Sequence, residues 1–265
     1  MIKFSSLSSG SNGNCYYIGN EETALLIDAG IGPRTIKKRL AEKGLSLDKV
    51  QLVLVTHDHI DHVKSLGTLA DRFHIPIYAT HLLYNSMINF RYVGPKIKGD
   101  VKFTEPGVCY SFKGIKFTPF IVPHDATQTV GYFIDFYGVK FTFLTDTGAI
   151  TEEILKYGKM ASALVIEANY DTGMLNSGPY PEHLRMRISQ GYGHLSNLQS
   201  ADAIRKIVSS NLTHIFLCHL SEQNNTPEIA YNTISDVLIG LGLKPGRDLT
   251  LYCLPRRTSS DLFTF

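Results

Sequence analysis

The chain has 265 residues, 43% of them apolar and 19% charged, which excludes disorder, collagen and coiled coil and leaves a globular protein. Its 26 Lys and Arg against 24 Asp and Glu leave a formal charge of +2, so a uniformly basic, nucleic-acid-coating surface is excluded and any polyanion has to be gripped locally. No stretch approaches the roughly 18 apolar residues of a membrane span, the N-terminus lacks the order of a secretory signal, and Cys15, Cys109, Cys218 and Cys253 form no CxxC pair. A cytoplasmic protein without membrane attachment, carrying reduced thiols, is expected.

In chain order, short β-rich runs fill the first half: IKFSSL, NCYYIG, TALLIDAG, VQLVLVTH, IPIYAT, GVCYSF, IKFTPFIV, TVGYFIDFY and VKFTFLTD, many bounded by Gly, Asn or Pro. Helical periodicity interrupts them over Pro33 to Lys43 and over Val63 to Phe73. The second half predicts helices near Thr151 to Tyr157, Pro181 to Ser189, Ser196 to Ser209 and Pro227 to Leu241. Strands are predicted at Ser162 to Glu167, His214 to His219 and Leu249 to Leu254. No repeat or long linker divides the sequence, so one domain over residues 1–265 is the simplest organisation. So many hairpin-like strands argue against a doubly wound parallel sheet and for two sheets face to face with helices outside.

The segment VLVTHDHIDH, Val53 to His62, is the most informative. A buried strand ends where four potential ligands begin, and His57 and His59, two apart, point to one side of extended backbone. Asp61 and His62 follow as the chain turns. Three imidazoles and a carboxylate suit zinc, manganese or iron. Two ions would need further ligands at strand ends, and His124, Asp146 and His219 end the runs IKFTPFIVPH, VKFTFLTD and HIFLCH. Alternation along the last run points Cys218 away from His219, which makes it a packed core thiol rather than a ligand.

This arrangement closely resembles the binuclear hydrolases of the metallo-β-lactamase fold. The resemblance implies an α/β protein, a four-layer αββα sandwich, with His57, His59 and His124 on one metal, Asp61, His62 and His219 on the other, and Asp146 bridging. LSSGSNGNCYYI, PHDA, EANYD, GPYPEHL, GHLSN and HLSEQNNTPE carry the match nearly end to end. They look like the YycJ/WalJ branch, whose members are described as DNA exonucleases. A His usually follows EAN or ESN in that branch, whereas Tyr170 stands here.

The implied reaction is phosphodiester hydrolysis, with DNA as partner and a hydroxide held between two divalent ions attacking phosphorus. Asp61 would also orient the hydroxide or take its proton. The core of two ions, two carboxylates and a hydroxide keeps about one positive charge, which favours an anionic substrate. His194, just before a predicted helix, is the candidate proton donor to the leaving oxygen, and Glu167 of EANYD is its candidate partner. Ser196 and Asn197 open that helix, where free amides suit a phosphate. Ser11 and Asn12, in SSGSNGN, either cradle phosphate or serve as ordinary turn residues. Asn224 and Asn225 either line the cleft or cap the helix at Thr226 or Pro227. Arg185, Arg187, Arg256, Arg257, Lys96 and Lys98 are either phosphate contacts or a solvated face. The competing readings are a hydrolase of a small cyclic or nucleotide phosphodiester, a thioester or lactam hydrolase, and a non-catalytic binding protein that kept the fold. The last is disfavoured because all seven ligand positions are filled.

Overall fold

Among the described residues the apolar runs of the sequence become fourteen strands in two sheets. The computed structural model describes residues 1–91, 93–97 and 101–265, and contacts divide these into two units. The first unit comprises Met1–Tyr110, Ala126–Val130 and Pro255–Phe265, and the second Ser111–Asp125 and Gly131–Leu254. Lys98, a candidate phosphate contact, lies outside the described residues.

In the first unit β1 (Lys3–Gly10), β2 (Gly13–Gly19) and β3 (Ala24–Ile27) form an antiparallel meander. β4 (Val50–Leu54), β5 (Ile77–Ala79) and β6 (Val101–Phe103) then add in parallel to β3. Parallel neighbours need crossovers, and the helices supply them: α1 (Pro33–Glu42), α2 (Ile60–Val63), α3 (Leu66–Phe73), α4 (His81–Met87) and α5 (Gly94–Ile97). α1 has ten residues, too few to hold a helix in water alone. It is fixed by burying Ile36 and Leu40 with Leu7, Leu26 and Val53 of the sheet, each such side chain contributing about 1.5–3 kcal/mol.

The periodicity over Val63 to Phe73 predicts one helix, and the structure breaks it into α2 and α3. The break is at Ser65, whose N–H donates to the Ala29 carbonyl at 2.9 Å and whose hydroxyl donates to the Ile31 carbonyl at 2.6 Å. Both bonds pull the chain toward the end of β3.

The second sheet repeats the plan. β7 (Tyr110–Phe112), β8 (Ile115–Ile121), β9 (Val130–Phe136) and β10 (Val139–Leu144) lie side by side, with β9 and β10 antiparallel. β11 (Ala163–Glu167), β12 (His214–Cys218) and β13 (Thr250–Cys253) continue in parallel from β10. The crossovers hold α6 (Glu152–Lys159), α7 (Thr172–Ser177), α8 (Glu182–Ser189), α9 (Asn197–Ile207) and α10 (Pro227–Gly240). Ile154, Ile204 and Ile234 of these helices bury with Leu164, Ile166 and Leu217 of the strands. The last strand, β14 (Phe263–Thr264), returns to the first sheet and pairs with β1. No helix of the described residues is long and apolar enough to cross a membrane.

Candidate metal centre

Several of the candidate side chains follow the carboxyl end of a strand with a parallel neighbour, β4, β10, β11 or β12, the usual location of sites in such sheets. The two clusters are built separately, one in each unit.

In the first unit β4 runs out at Leu54 and the next residues, Val55 to Asp58, remain buried. The rings of His57 and His59 lie 4.8 Å apart between centroids, and those of His57 and His62 lie 3.9 Å apart. Asp61 Oδ2 is 3.6 Å from His62 Nε2. All four ligands read from the motif therefore converge. Asp28, at the end of β3, was not among them and proves central. Its fully buried carboxylate accepts from Thr56 N at 2.8 Å, Thr56 Oγ1 at 2.7 Å and His62 Nδ1 at 2.7 Å. Burial pushes this carboxyl above the usual range, against the pull of His62 and of the two Thr56 bonds.

Since the Thr56 hydroxyl hydrogen goes to Asp28, His57 Nδ1, 3.0 Å from that oxygen, is the donor in the contact. An Nδ1–H on His57 and on His62 leaves each Nε2 with a lone pair, the form that ligates a metal. Asn14, also missed from the sequence, donates Nδ2 to His62 Nε2 at 2.8 Å and to Asp61 Oδ2 at 3.3 Å. Gly30 permits this crowding: a Cβ there would lie 1.5 Å from the Asp61 carbonyl oxygen and 2.7 Å from Asn14 N.

The second unit assembles the other candidates. His219 Nδ1 is 3.0 Å from Glu167 Oε1 and 3.1 Å from Asp146 Oδ1, and His194 Nδ1 donates to Glu167 Oε1 at 2.6 Å. Asp146, Glu167, His194 and His219 each place a ligand-capable atom within 4.8 Å of the others. His124 lies beside His194, ring centroids 5.0 Å apart, and donates Nδ1 to the Gly193 carbonyl at 2.8 Å. His124 and His219 thus also leave Nε2 with a lone pair. Carboxylates and imidazoles in these tautomers fit a divalent ion of the zinc, manganese or iron type.

Glu167 is no surface carboxylate. It is fully buried, and Oε2 accepts the N–H groups of Thr147 and Leu195, each at 3.1 Å. Burial opposes its charge, but the His194 and His219 rings outweigh this and hold its pKa below the ordinary value. Burial likewise opposes a charged His194; the Glu167 charge and hydrogen bond, with Asp146, overcome it and raise that ring's pKa. His124 shifts down, chiefly through burial.

The remaining candidates divide. Ser196 caps α9 in a capping box with Gln199 and is 5% exposed. Asn197 exchanges two amide bonds with Asn225, at 3.0 and 2.8 Å, and Asn225 also donates to the Ala168 carbonyl. Asn224 is buried as well. These polar groups are engaged inside the second unit rather than at an open surface. Ser11 and Asn12 are exposed between β1 and β2. Tyr170 is buried, and Asn197 N–H donates to its carbonyl. Arg187 is paired with Asp125 at 2.5 Å, and Arg185 donates to the Asn176 carbonyl. Cys218 is buried, with Sγ 3.7 Å from the Leu144 carbonyl, as its strand parity requires.

Residues 9–219 match the family model of the Metallo-beta-lactamase superfamily. The chain is 35% identical over 252 residues to the Exodeoxyribonuclease YycJ of Bacillus anthracis, a match covering 95% of this chain and 94% of the relative. It is 33% identical over 261 residues to the Exodeoxyribonuclease WalJ of Streptococcus pneumoniae, with 98% and 97% covered. Among solved structures, the metallo-beta-lactamase fold protein YhfI of Bacillus subtilis superposes with a TM-score of 0.71 at 13% identity, over 99% of this chain and 98% of that one. With its two mixed sheets and their helices, the chain belongs to the metallo-β-lactamase superfamily and has the α/β fold of that family.

Proposed function

We propose that this protein is a metal-dependent DNA exonuclease in which both units act as one hydrolase domain. His57, His59, Asp61 and His62 from the first unit and His124, Asp146 and His219 from the second would hold two divalent ions, zinc, manganese or iron. The observation that carries the reading is similarity over nearly the whole chain to two relatives named exodeoxyribonucleases. The donor tautomers fixed at Nδ1 of four histidines support it, because they prepare Nε2 for metal.

When bound, the ions supply an acidified water and stabilise negative charge gathering on a phosphoryl group. The chain's own residues do the rest. Asp28, through Thr56 and His62, holds two ligand rings in place. His194, whose Glu167 bond favours the protonated ring, carries a proton on Nε2 for the leaving oxygen of the sugar. Ser11 and Asn12, which are exposed, would meet the substrate's phosphate. The cytoplasm is the proposed place of action.

Degradation of end-labelled single- and double-stranded DNA and RNA, with each metal and with chelator, tests the proposal. Products accumulating from one end of DNA, abolished by chelator and restored by metal, are expected. Turnover of a small diester with no polymer degraded would overturn the nuclease reading. DNA degradation that survives complete metal removal in His59→Ala would overturn the metal mechanism.

A further inference from the structure

The protein's charges nearly balance, so a nucleic acid held by diffuse attraction is excluded and its phosphates need a local concentration of cations. The first unit has one. Three hollows of 320, 290 and 490 Å³ adjoin around the start of α1: Gly32 lines all three, Lys64 the first two, and Pro33 and Thr68 the last two. The first, beside Ser8 and Asn12, carries Lys64 and Arg257. Arg39 shapes it by donating to the carbonyls of Leu7 and Arg257, which ties the C-terminal stretch to β1. The second carries Lys64, Lys96 and Ile60. The third carries Arg34 and Lys37 from α1 with Arg72 and Phe73 from the end of α3. Among the described residues lining the three, none is acidic.

Two further features distinguish this surface from an ordinary solvated face. Ile60 and Phe73 are 53% and 37% exposed, so each presents an apolar surface between the cations. The hollows also adjoin the ligand turn, since Ile60, which lines the second, lies between His59 and Asp61, and Lys64, which lines the first two, is two residues beyond His62. Cations alternating with apolar and aromatic side chains form the surface that holds a single strand, phosphates on the charges and base faces on the rings.

We infer that the three hollows form a track for single-stranded nucleic acid, along which the strand extends from the ligand turn past Lys64 and Lys96 to Arg34, Lys37, Arg72 and Phe73. The inference rests on the nuclease reading above. It adds that preference for a polymer over a dinucleotide is set by Arg34, Lys37, Arg72 and Phe73, none of which is a candidate ligand.

The test compares kcat/KM of the metal-loaded enzyme on an oligodeoxythymidylate of about 16 nucleotides and on thymidine dinucleotide. In the triple variant Arg34→Ala, Lys37→Ala, Arg72→Ala, the ratio of the two falls about 10- to 100-fold. The slope of log KM for the oligomer against log salt becomes shallower by about 2, at roughly 0.7 per lost charge on a single strand. A charge-matched control, Lys113→Ala, Lys116→Ala, Arg205→Ala, removes three exposed cations of the second unit and keeps the wild-type ratio. Phe73→Ser lowers the ratio about tenfold with the salt slope unchanged. A track variant that keeps the wild-type ratio and slope, or a control that loses as much, would overturn the track while the nuclease reading stands. Wild-type enzyme that cleaves the dinucleotide but no oligomer would overturn both.

Discussion

Asp28→Asn changes a charge at the candidate centre while keeping the shape. Asp28 sits at φ 58°, in the left-handed region that Asn tolerates as readily as Asp, so the backbone has no cause to move. Its carboxylate serves three donors, two on Thr56 and one on His62, whereas an amide offers one acceptor oxygen and an NH2 group. With that oxygen kept on Thr56 N, the NH2 faces His62 Nδ1, and the ring can satisfy it only by accepting. The ring proton then moves to Nε2, where the metal's lone pair was. Loss of such an outer partner costs about 10- to 100-fold in metal affinity, equivalent to about 1.4–2.7 kcal/mol. Asp28→Ala acts differently: it strands three buried donors and costs about 3–5 kcal/mol of folding stability, the scale of removing one partner from a buried pair. Chelator competition followed by metal analysis reads the first effect. Thermal unfolding with excess chelator reads the second without the stabilisation that bound metal adds. An Asn variant that binds metal as tightly as wild type would refute the tautomer argument, and an Ala variant that melts with wild type would refute the buried-donor argument.

His194→Ala lowers kcat on a dinucleotide by about 100- to 10,000-fold, the range for losing a positioned proton donor, with metal content unchanged. A p-nitrophenyl diester, whose leaving group needs no proton, is spared, and equal losses on both substrates would remove His194 from that role. Gly30→Ala forces a Cβ to within 1.5 Å of the Asp61 carbonyl oxygen; it costs at least about 1–3 kcal/mol and lowers metal content, read by melting temperature and elemental analysis. Among the thiols Cys109 is exposed, Cys253 is pushed up to about 12 chiefly by burial, and Cys15 is raised further by burial and the Asp28 charge. At mildly alkaline pH a disulfide reagent therefore modifies Cys109 first, Cys253 slowly and faster as pH rises, and Cys15 and Cys218 only on unfolding; rapid loss of all four would contradict the burial.

The candidate ligands were legible because their physics is local. An apolar run that stops at a His or Asp marks a strand end, and VLVTHDH, FLTD and HIFLCH all obey that rule. The same rule applied to LLIDAG would have found Asp28, whose strand β3 ends one residue earlier. Asn14 had no such signal: it reads as one more turn residue in SSGSNGN, and its role depends on α2 folding back against β2. The tight pair of His194 and Glu167, 27 positions apart, is likewise set by the crossover from β11 to α9 and not by spacing. The substrate assignments suffered from a related ambiguity, because Ser196 and Asn197 suit a helix start whether or not a phosphate is present. The structure uses both internally.

Backbone strain separates function from folding at these strand ends. Among the described residues five non-glycines have positive φ, and His74, Lys113 and Tyr137 are exposed. Asp28 and His219 alone of the five are buried, at φ 58° and 53°, each following a strand with parallel pairing. Such a conformation costs of order 1–3 kcal/mol and persists only when its surroundings over-determine it. Here they do: Asp28 N–H donates to the Leu54 carbonyl at 2.9 Å, and Asn169 Nδ2 donates to the His219 carbonyl at 2.8 Å. Glycine would remove the strain at either position, but it has no side chain to orient His62 or to meet Asp146 and Glu167. A strand sends successive side chains to opposite faces, and a left-handed residue at its end departs from that extended geometry. Both units place a strained residue at such a strand end, and in both it contacts the candidate ligands.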